Sequence, residues 1–272
     1  MNSVLPNFQR SFSSFYFLLK LQFHELGEVY SFKLININEY NMNVSVIIPT
    51  YNEEKNIETT LLATRSQTKP PKEIFVVDNL SKDKTVKIAK KYAKVIKSKS
   101  NIPQARNIGA SMAKPELLLF VDADTVLLPN AIENLANEFN KKSVVIASLP
   151  LYPLQMKFRH YILAKIGWEF IPKLFTKYTK KPIFCGACIM VRKSAFDKIG
   201  GFREDLNSGE DIDLSQRMGK IGKSAFPINT FALTNMRRFE KNGIYWTLYW
   251  IVFLIYYKLT GKGFKKKLKV IR

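Results

Sequence analysis

An α/β fold built on a mainly parallel sheet, flanked by helices, is what this sequence predicts, and three observations predict it. Short β-branched runs alternate with helical stretches from residue 44 onward, and the connections between them are short. A length of 272 residues accommodates one large domain with an appended segment. Such alternation gives right-handed strand–helix–strand crossovers, and ligands of such sheets bind beyond the carboxyl ends of the strands.

The runs at 44–48, 74–77, 117–121 and 144–147 have the length and branching of buried strands. Helical stretches at 55–65, 83–93, 103–113 and 130–139 lie between them. Asn101 or Ser100 can cap the third, with Pro103 in its first turn. Phe184-Cys185-Gly186-Ala187-Cys188-Ile189-Met190-Val191 reads as a further buried strand. It holds the only two cysteines, and one C-x-x-C pair without a nearby His falls short of a zinc site.

Residues 1–41 are aromatic-rich (Phe12, Phe15, Tyr16, Phe17) but lack the long apolar core of a signal peptide. They read as an N-terminal extension ahead of a domain over 42–240, with 241–272 as a third part.

Hydrophobic residues make up 46% of the chain, which disfavours disorder. Lys and Arg number 43 against 22 Asp and Glu, a net charge of +21, so anionic partners are favoured. A nucleic-acid-binding protein would gather its basic residues with stacking aromatics on one face. Here the lysines are scattered, and acidic clusters follow the strands, so nucleic acid is not the expected partner.

Three polar clusters follow buried strands: Pro49-Thr50-Tyr51-Asn52-Glu53-Glu54, Asp78-Asn79-Leu80-Ser81 and Asp122-Ala123-Asp124. They should gather on one edge of the sheet. A lone Asp-x-Asp is a weak signal, because loop aspartates form turns; three clusters in register with three strands are not explained that way. Asp122 and Asp124 offer the hard oxygen ligands that a divalent cation needs to neutralise a diphosphate. Arg106, opening a helix, adds a second positive group, its alternative reading being a surface salt bridge. No G-x-G-x-x-G follows a strand, and Gly222-Lys223-Ser224 has Arg217 where a P-loop needs its first glycine. Downstream, Gly200-Gly201-Phe202 precedes Ser208-Gly209-Glu210-Asp211-Ile212-Asp213-Leu214, which opens a helix running towards Ile221 with Ser208 as its cap. Acidic residues there suit the helix dipole, and a carboxylate on a rigid helix start also suits a general base. Glu210 and Asp211 point about 100° apart on a helix, so they should not share a role.

Together these segments resemble family 2 glycosyltransferases, which have a GT-A fold, over about 44–238. Val46-Ile47-Ile48-Pro49-Thr50-Tyr51-Asn52-Glu53-Glu54 is similar to the family's opening strand and donor loop, and Val76-Val77-Asp78-Asn79-Leu80-Ser81-Lys82-Asp83 resembles its V-D-D-G-S-x-D segment. Ala105-Arg106-Asn107-Ile108-Gly109 matches A-R-N-x-G, Asp122-Ala123-Asp124 matches D-x-D, and Glu210-Asp211-Ile212-Asp213-Leu214 resembles E-D-x-D-L, after the family's G-G-F. The resemblance implies that Thr50, Tyr51, Glu53, Asp78 and Arg106 bind the nucleotide of a nucleotide-sugar donor. It implies that Asp122 and Asp124 hold ribose, metal (Mn²⁺ or Mg²⁺) and diphosphate, and that Asp211 is the catalytic base of a single inverting displacement. Asn79-Leu80 departs from the family's D-G, which leaves the base and donor sugar open. The Q-x-x-R-W motif of processive synthases is absent, which implies one transfer rather than polymerisation. A non-catalytic nucleotide-sugar binder is the other alternative, and retention of both D-x-D and E-D argues against it.

Residues 244–257 form an uncharged run rich in Trp and Tyr, shorter than the roughly 20 residues of a spanning helix. Lys262, Lys265, Lys266, Lys267, Lys269 and Arg272 follow, a tail of the kind drawn to anionic lipid. A C-terminal apolar helix at the cytoplasmic face of the cell membrane is therefore expected, with a polyprenyl phosphate or similar lipid-linked acceptor. The aromatic, basic segment 158–175 is a second candidate for shaping the acceptor site.

Overall fold

The computed structural model describes residues 42–235 and 237, apart from 156, 157, 180 and 207. The extension 1–41, the apolar run 244–257 and the basic tail lie outside the described residues.

The β-branched runs form the strands they predict: β1 (Val44–Thr50), β2 (Glu73–Asp78), β4 (Leu117–Val121) and β6 (Val144–Ser148). β1 pairs in parallel with β2 on one side and β4 on the other. Among the described residues the main sheet has seven strands, in the order β3-β2-β1-β4-β8-β6-β9. Here β3 is Lys94–Lys97, β8 is Cys188–Arg192 and β9 is Lys223–Ala225. Only β8 runs against its neighbours, pairing antiparallel with both β4 and β6. A smaller sheet follows the order β5-β10-β7, from Thr125–Leu127, Ala232–Thr234 and Leu151–Pro153.

Helices cover both faces, which is why the central strands are apolar throughout rather than alternating. α1 (Ile57–Arg65) and α4 (Ala131–Glu138) bury Ile57, Leu61, Ile132 and Leu135 against Val46, Ile48 and Leu119. On the opposite face, α3 (Ile102–Met112) and α8 (Glu210–Ile221) bury Ala105, Ala110, Leu214 and Met218 near Ile47, Phe75 and Phe120. The remaining helices are α2 (Thr85–Ala89), α5 (Phe158–Ala164), α6 (Ile171–Tyr178) and α7 (Lys193–Lys198), with a π-helical stretch, Lys165–Phe170, joining α5 to α6.

Asn101 is the cap of α3: its side chain accepts the Gln104 N–H at 2.9 Å while Gln104 accepts the Asn101 N–H at 3.0 Å. Three expectations are corrected. The stretch 83–93 is helical only over Thr85–Ala89: at its start Asp83 turns its carboxylate onto the Thr85 N–H at 3.0 Å, and at its end the Lys91 and Tyr92 N–H groups donate to the Ile88 and Ala89 carbonyls at 3.1 and 3.0 Å, in tighter turns. The Phe184–Val191 run becomes a strand only at Cys188, and 184–187 lead into it as a loop. Ser208 is not the cap of α8: that position is Gly209, at φ 77°, with no side-chain cap.

Gly109 lets α3 lie directly on β1. A Cβ there would meet Ile47 Cγ2 at 2.4 Å, well inside contact distance. Gly109→Val should therefore lower stability by about 2 kcal/mol through overpacking, despite leaving every polar contact intact. Urea unfolding of the two proteins measures this, with the midpoint moving and the slope unchanged.

Candidate active site

The carboxyl ends of β1, β2 and β4 meet at one sheet edge, with Thr50 directly opposite Asp78 in the register. The Asn79 N–H donates to the Thr50 carbonyl at 2.9 Å, locking the first two strand ends together. Their loops are then cross-stitched: the Asn52 N–H donates to Ser81 Oγ at 2.7 Å, and the Lys82 N–H to Asn52 Oδ1 at 2.7 Å. Asp78 is fully buried and supports its own turn, accepting the Ser81 N–H at 2.9 Å and the Ser81 hydroxyl at 2.5 Å. This turn puts Leu80 at φ 56°, a left-handed conformation that costs a branched residue about 1–2 kcal/mol. Thr50 Oγ1 is buried and has no hydrogen-bond partner among the described residues, an unusual state for a hydroxyl. Tyr51 follows it, partly buried, at the same edge.

Beside this edge lies a buried guanidinium. Arg106, near the start of α3, is 2% exposed, so the surface salt-bridge reading is wrong. Its Nη2 donates to Asp122 Oδ1 at 2.9 Å and to the Gly186 carbonyl at 3.1 Å, and its Nη1 donates to Glu210 Oε1 at 2.9 Å. The cation also sits 5.1 Å from the centre of the Phe202 ring. Gly186 must be glycine for this approach, because a Cβ would stand 2.6 Å from Arg106 Nη2. Arg106 therefore reaches the pocket through the acidic side chains it holds, with both terminal nitrogens committed to protein acceptors.

Asp211, the second residue of α8, takes different hydrogen-bond partners from Glu210. Its Oδ2 accepts the Gly186 N–H at 2.8 Å and its Oδ1 the Ile212 N–H at 2.9 Å. Burial, and then the charge of Glu210, push its pKa up to about 7 against the opposing pull of the Gly186 N–H and Arg106. Asp213 pairs instead with Arg217 at 2.7 Å, and Arg217 also donates to the carbonyls of Ile199 and Gly201. Asn107 bridges α3 to the same turn, accepting the Phe202 N–H and donating to the Phe202 carbonyl, both at 2.9 Å.

Asp124 and Glu53 form a second acidic pair, held by a residue the sequence did not single out. Arg237 Nη2 lies 2.5 Å from Asp124 Oδ2 and 3.0 Å from Glu53 Oε1. Burial and the neighbouring charge of Asp122 raise the Asp124 pKa to about 6, with Arg237 pulling it back down. Glu53 also accepts the Asn56 side-chain amide at 2.7 Å. Thus the structure brings Thr50, Tyr51, Glu53, Asp78, Arg106, Asp122, Asp124 and Asp211 to one end of the sheet. Gly186 and Arg237 were missed. Gly186 was hidden inside an apolar run, and Arg237 is one basic residue among 43 with no periodicity to mark it.

The family model described as Glycosyl transferase family 2 matches residues 45–200. The chain belongs to glycosyl transferase family 2. An uncharacterised glycosyltransferase of Rickettsia prowazekii is 30% identical over 205 residues, covering 70% of this family 2 chain and 62% of the relative. One of Rickettsia typhi is 30% identical over 193 residues, covering 65% and 58%. The chain thus spans about three fifths of the length of these curated relatives. Among solved structures, residues 1–349 of TarS of Staphylococcus aureus in complex with UDP-GlcNAc superpose with a TM-score of 0.59 at 23% identity, over 72% of this chain and 59% of that TarS fragment. A mannosyltransferase of Pyrobaculum calidifontis in complex with GDP-Man and Mn²⁺ gives a TM-score of 0.57 at 20% identity, over 71% and 57%. At these identities the likeness is one of fold, and the fold of this family 2 member is GT-A-like.

Removing the Arg106 guanidinium would leave Glu210, partly buried, without its counter-ion, Asp122 being the more exposed partner. Arg106→Ala should lower stability by about 3 kcal/mol or more, and Arg106→Lys, which cannot span the same acceptors, should recover only part of it. Chemical denaturation of the three proteins checks the order.

Proposed function

We propose that the chain transfers a sugar from a nucleoside-diphosphate donor to an acceptor, a hydroxyl or a lipid phosphate, with inversion at the anomeric carbon. The observation that carries this reading is the arrangement around Arg106. One buried cation sets Asp122, at the end of β4, beside the start of α8, where Asp211 is anchored by a backbone N–H.

In this reading the donor nucleotide lies over the edge formed by Thr50, Tyr51, Glu53 and Asp78, and the orphaned Thr50 hydroxyl supports a polar ligand there. Asp122 and Asp124 would hold Mn²⁺ or Mg²⁺. The fit rests on their chemistry: two hard carboxylates, one of them raised in pKa by burial and then by the neighbouring charge of the other, suit a cation whose remaining ligands are phosphate oxygens and water. Such a cation neutralises charge building on the departing diphosphate. With a hydroxyl acceptor, Asp211 takes the proton as the oxygen attacks the anomeric carbon from the face opposite the leaving group; an ionised lipid phosphate attacks from the same face with no proton to give up. The Gly186 N–H fixes the Asp211 carboxylate, and burial gives it the basicity to accept a proton near neutral pH. A lipid-linked acceptor such as a polyprenyl phosphate, met at the cytoplasmic face of the cell membrane, accords with the net charge of +21. A nucleic-acid-binding role has no observation in its favour, and a non-catalytic binder gives no reason for the anchored Asp211.

Transfer should stop on chelation and return with Mn²⁺ or Mg²⁺, measured as nucleoside diphosphate release; full activity in EDTA would remove Asp122 and Asp124 from the metal role. Asp211→Asn should keep donor affinity while transfer falls roughly 10²-fold or more. A base must be unprotonated, so the rate should rise with pH through about 7, the value to which burial lifts Asp211. A flat profile from pH 5 to 9, or near-normal turnover of Asp211→Asn beside a dead Glu210→Gln, would move the base elsewhere.

A further inference from the structure

The helix over 158–178 has two unlike sides. Its inner side is well held: Ala164 and Pro172 are buried, Trp168 packs against the core, and Tyr161 stacks on Tyr152 of β7 with ring centres 5.6 Å apart. Lys165 and Glu169 close the same contact, Lys165 Nζ lying 2.8 Å from Glu169 Oε1 while the Tyr152 hydroxyl donates to Glu169. The outer side carries Ile162, Ile166, Phe170, Leu174 and Tyr178, all exposed, with Phe170 60% and Ile166 52% accessible. Large apolar side chains left wet in a row mark an interaction surface.

The row has a geometric cause. A four-residue repeat drifts by about 40° per step around an α-helix. The π-helical stretch Lys165–Phe170 winds each residue through a smaller angle and removes the drift over the step from Ile166 to Phe170, and all five side chains are exposed. Lys173 and Lys177 flank the row, and Lys181 follows it. Between 158 and 181 the sequence contains one acidic residue, Glu169, which is turned inward onto Tyr152 and Lys165. An apolar strip edged by lysines, with no exposed carboxylate, matches the chemistry of an anionic bilayer surface: acyl chains for the strip, headgroups for the ammonium groups.

We propose that this outer face docks on an anionic lipid bilayer, as a membrane contact built into the catalytic domain. Its position follows from its connections. Upstream, β7 pairs with β10, which pairs with β5 directly after Asp124; downstream, the chain runs from Tyr178 to Gly186, whose N–H anchors Asp211. Docking there would bring the bilayer to the acceptor side of the site, and in that respect the proposal rests on the transferase reading.

The test uses the full chain with Phe170→Cys carrying an environment-sensitive fluorophore. Of the native thiols, Cys188 is buried and Cys185 partly exposed, so the chain without the Phe170→Cys change is labelled in parallel and its signal subtracted. Phosphatidylcholine vesicles containing phosphatidylglycerol should shift the emission to the blue and shield the label from an aqueous quencher. Phosphatidylcholine alone should not, and a label at Met112→Cys should stay in water. Ile166→Glu with Leu174→Glu should cut the vesicle-bound fraction of label signal by tenfold or more. A label that remains in water while the chain sediments with vesicles assigns binding to the tail and overturns the proposal. So does a blue shift without vesicles that tracks formation of a dimer. Vesicle docking without any nucleotide-sugar turnover would sink the transferase reading alone, and turnover on a soluble acceptor without docking would sink this proposal alone.

Discussion

Taking one guanidinium out of water costs several kcal/mol, and the fold around Arg106 is organised to offset that cost. Two carboxylates, a carbonyl and an aromatic face receive it, and they come from the end of β4, the start of α8, the 184–187 loop and the turn before α8. Apart from the start of α8 and the turn just before it, these segments are distant from one another in sequence. Each is held by a bond from one of the two terminal nitrogens or by the guanidinium face, so the ion acts as a common origin from which the acidic residues are measured. Its planar shape matters as much as its charge, since two terminal nitrogens must serve acceptors on different sides.

The single reversed strand in the sheet serves the same arrangement. Because β8 runs against β4, its start lies beside the end of β4, and the Asp122 N–H donates to the Ala187 carbonyl at 3.3 Å. A parallel strand at that position would have brought its carboxyl end there instead, and the Gly186 peptide would have been at the far edge. That one peptide faces two ways, its N–H to Asp211 and its carbonyl to Arg106, and so couples the candidate base to the cation. Only a residue without a side chain leaves room for both.

Much of this was legible in the sequence where the signal was local. Apolar β-branched runs gave the four strands β1, β2, β4 and β6, and the polar residues after β1, β2 and β4 lie at one edge because parallel strands end together. What was not legible depended on distant partners. β3 was missed because Lys94 and Lys97 disguise a four-residue edge strand, where charge discourages further pairing. The helix over 83–93 was read too long because periodicity does not reveal the turn at Asp83 or the tighter turns at Lys91 and Tyr92. Arg106 was marked for its charge, but burial is a property of Phe202, Glu210 and Gly186 together, about 80 to 104 positions away. Arg237 has no local signature at all, since its meaning lies in Glu53 and Asp124.

Arg237 is a counter-ion on a leash. A dissolved ion leaves a carboxylate pair at a rate and occupancy set by its concentration, whereas a guanidinium three residues beyond β10 is present at an effective concentration set by the length of that tether. One of the two charges on Glu53 and Asp124 is therefore offset by a tethered group, and this partly buried contact is screened less by salt than an exposed pair would be. Any cation that binds there enters by exchange with a group that never diffuses away. Its apparent affinity is lowered by the fraction of time the tether holds the pair, and a ligand that draws the guanidinium off raises that affinity with no new contact to the ion.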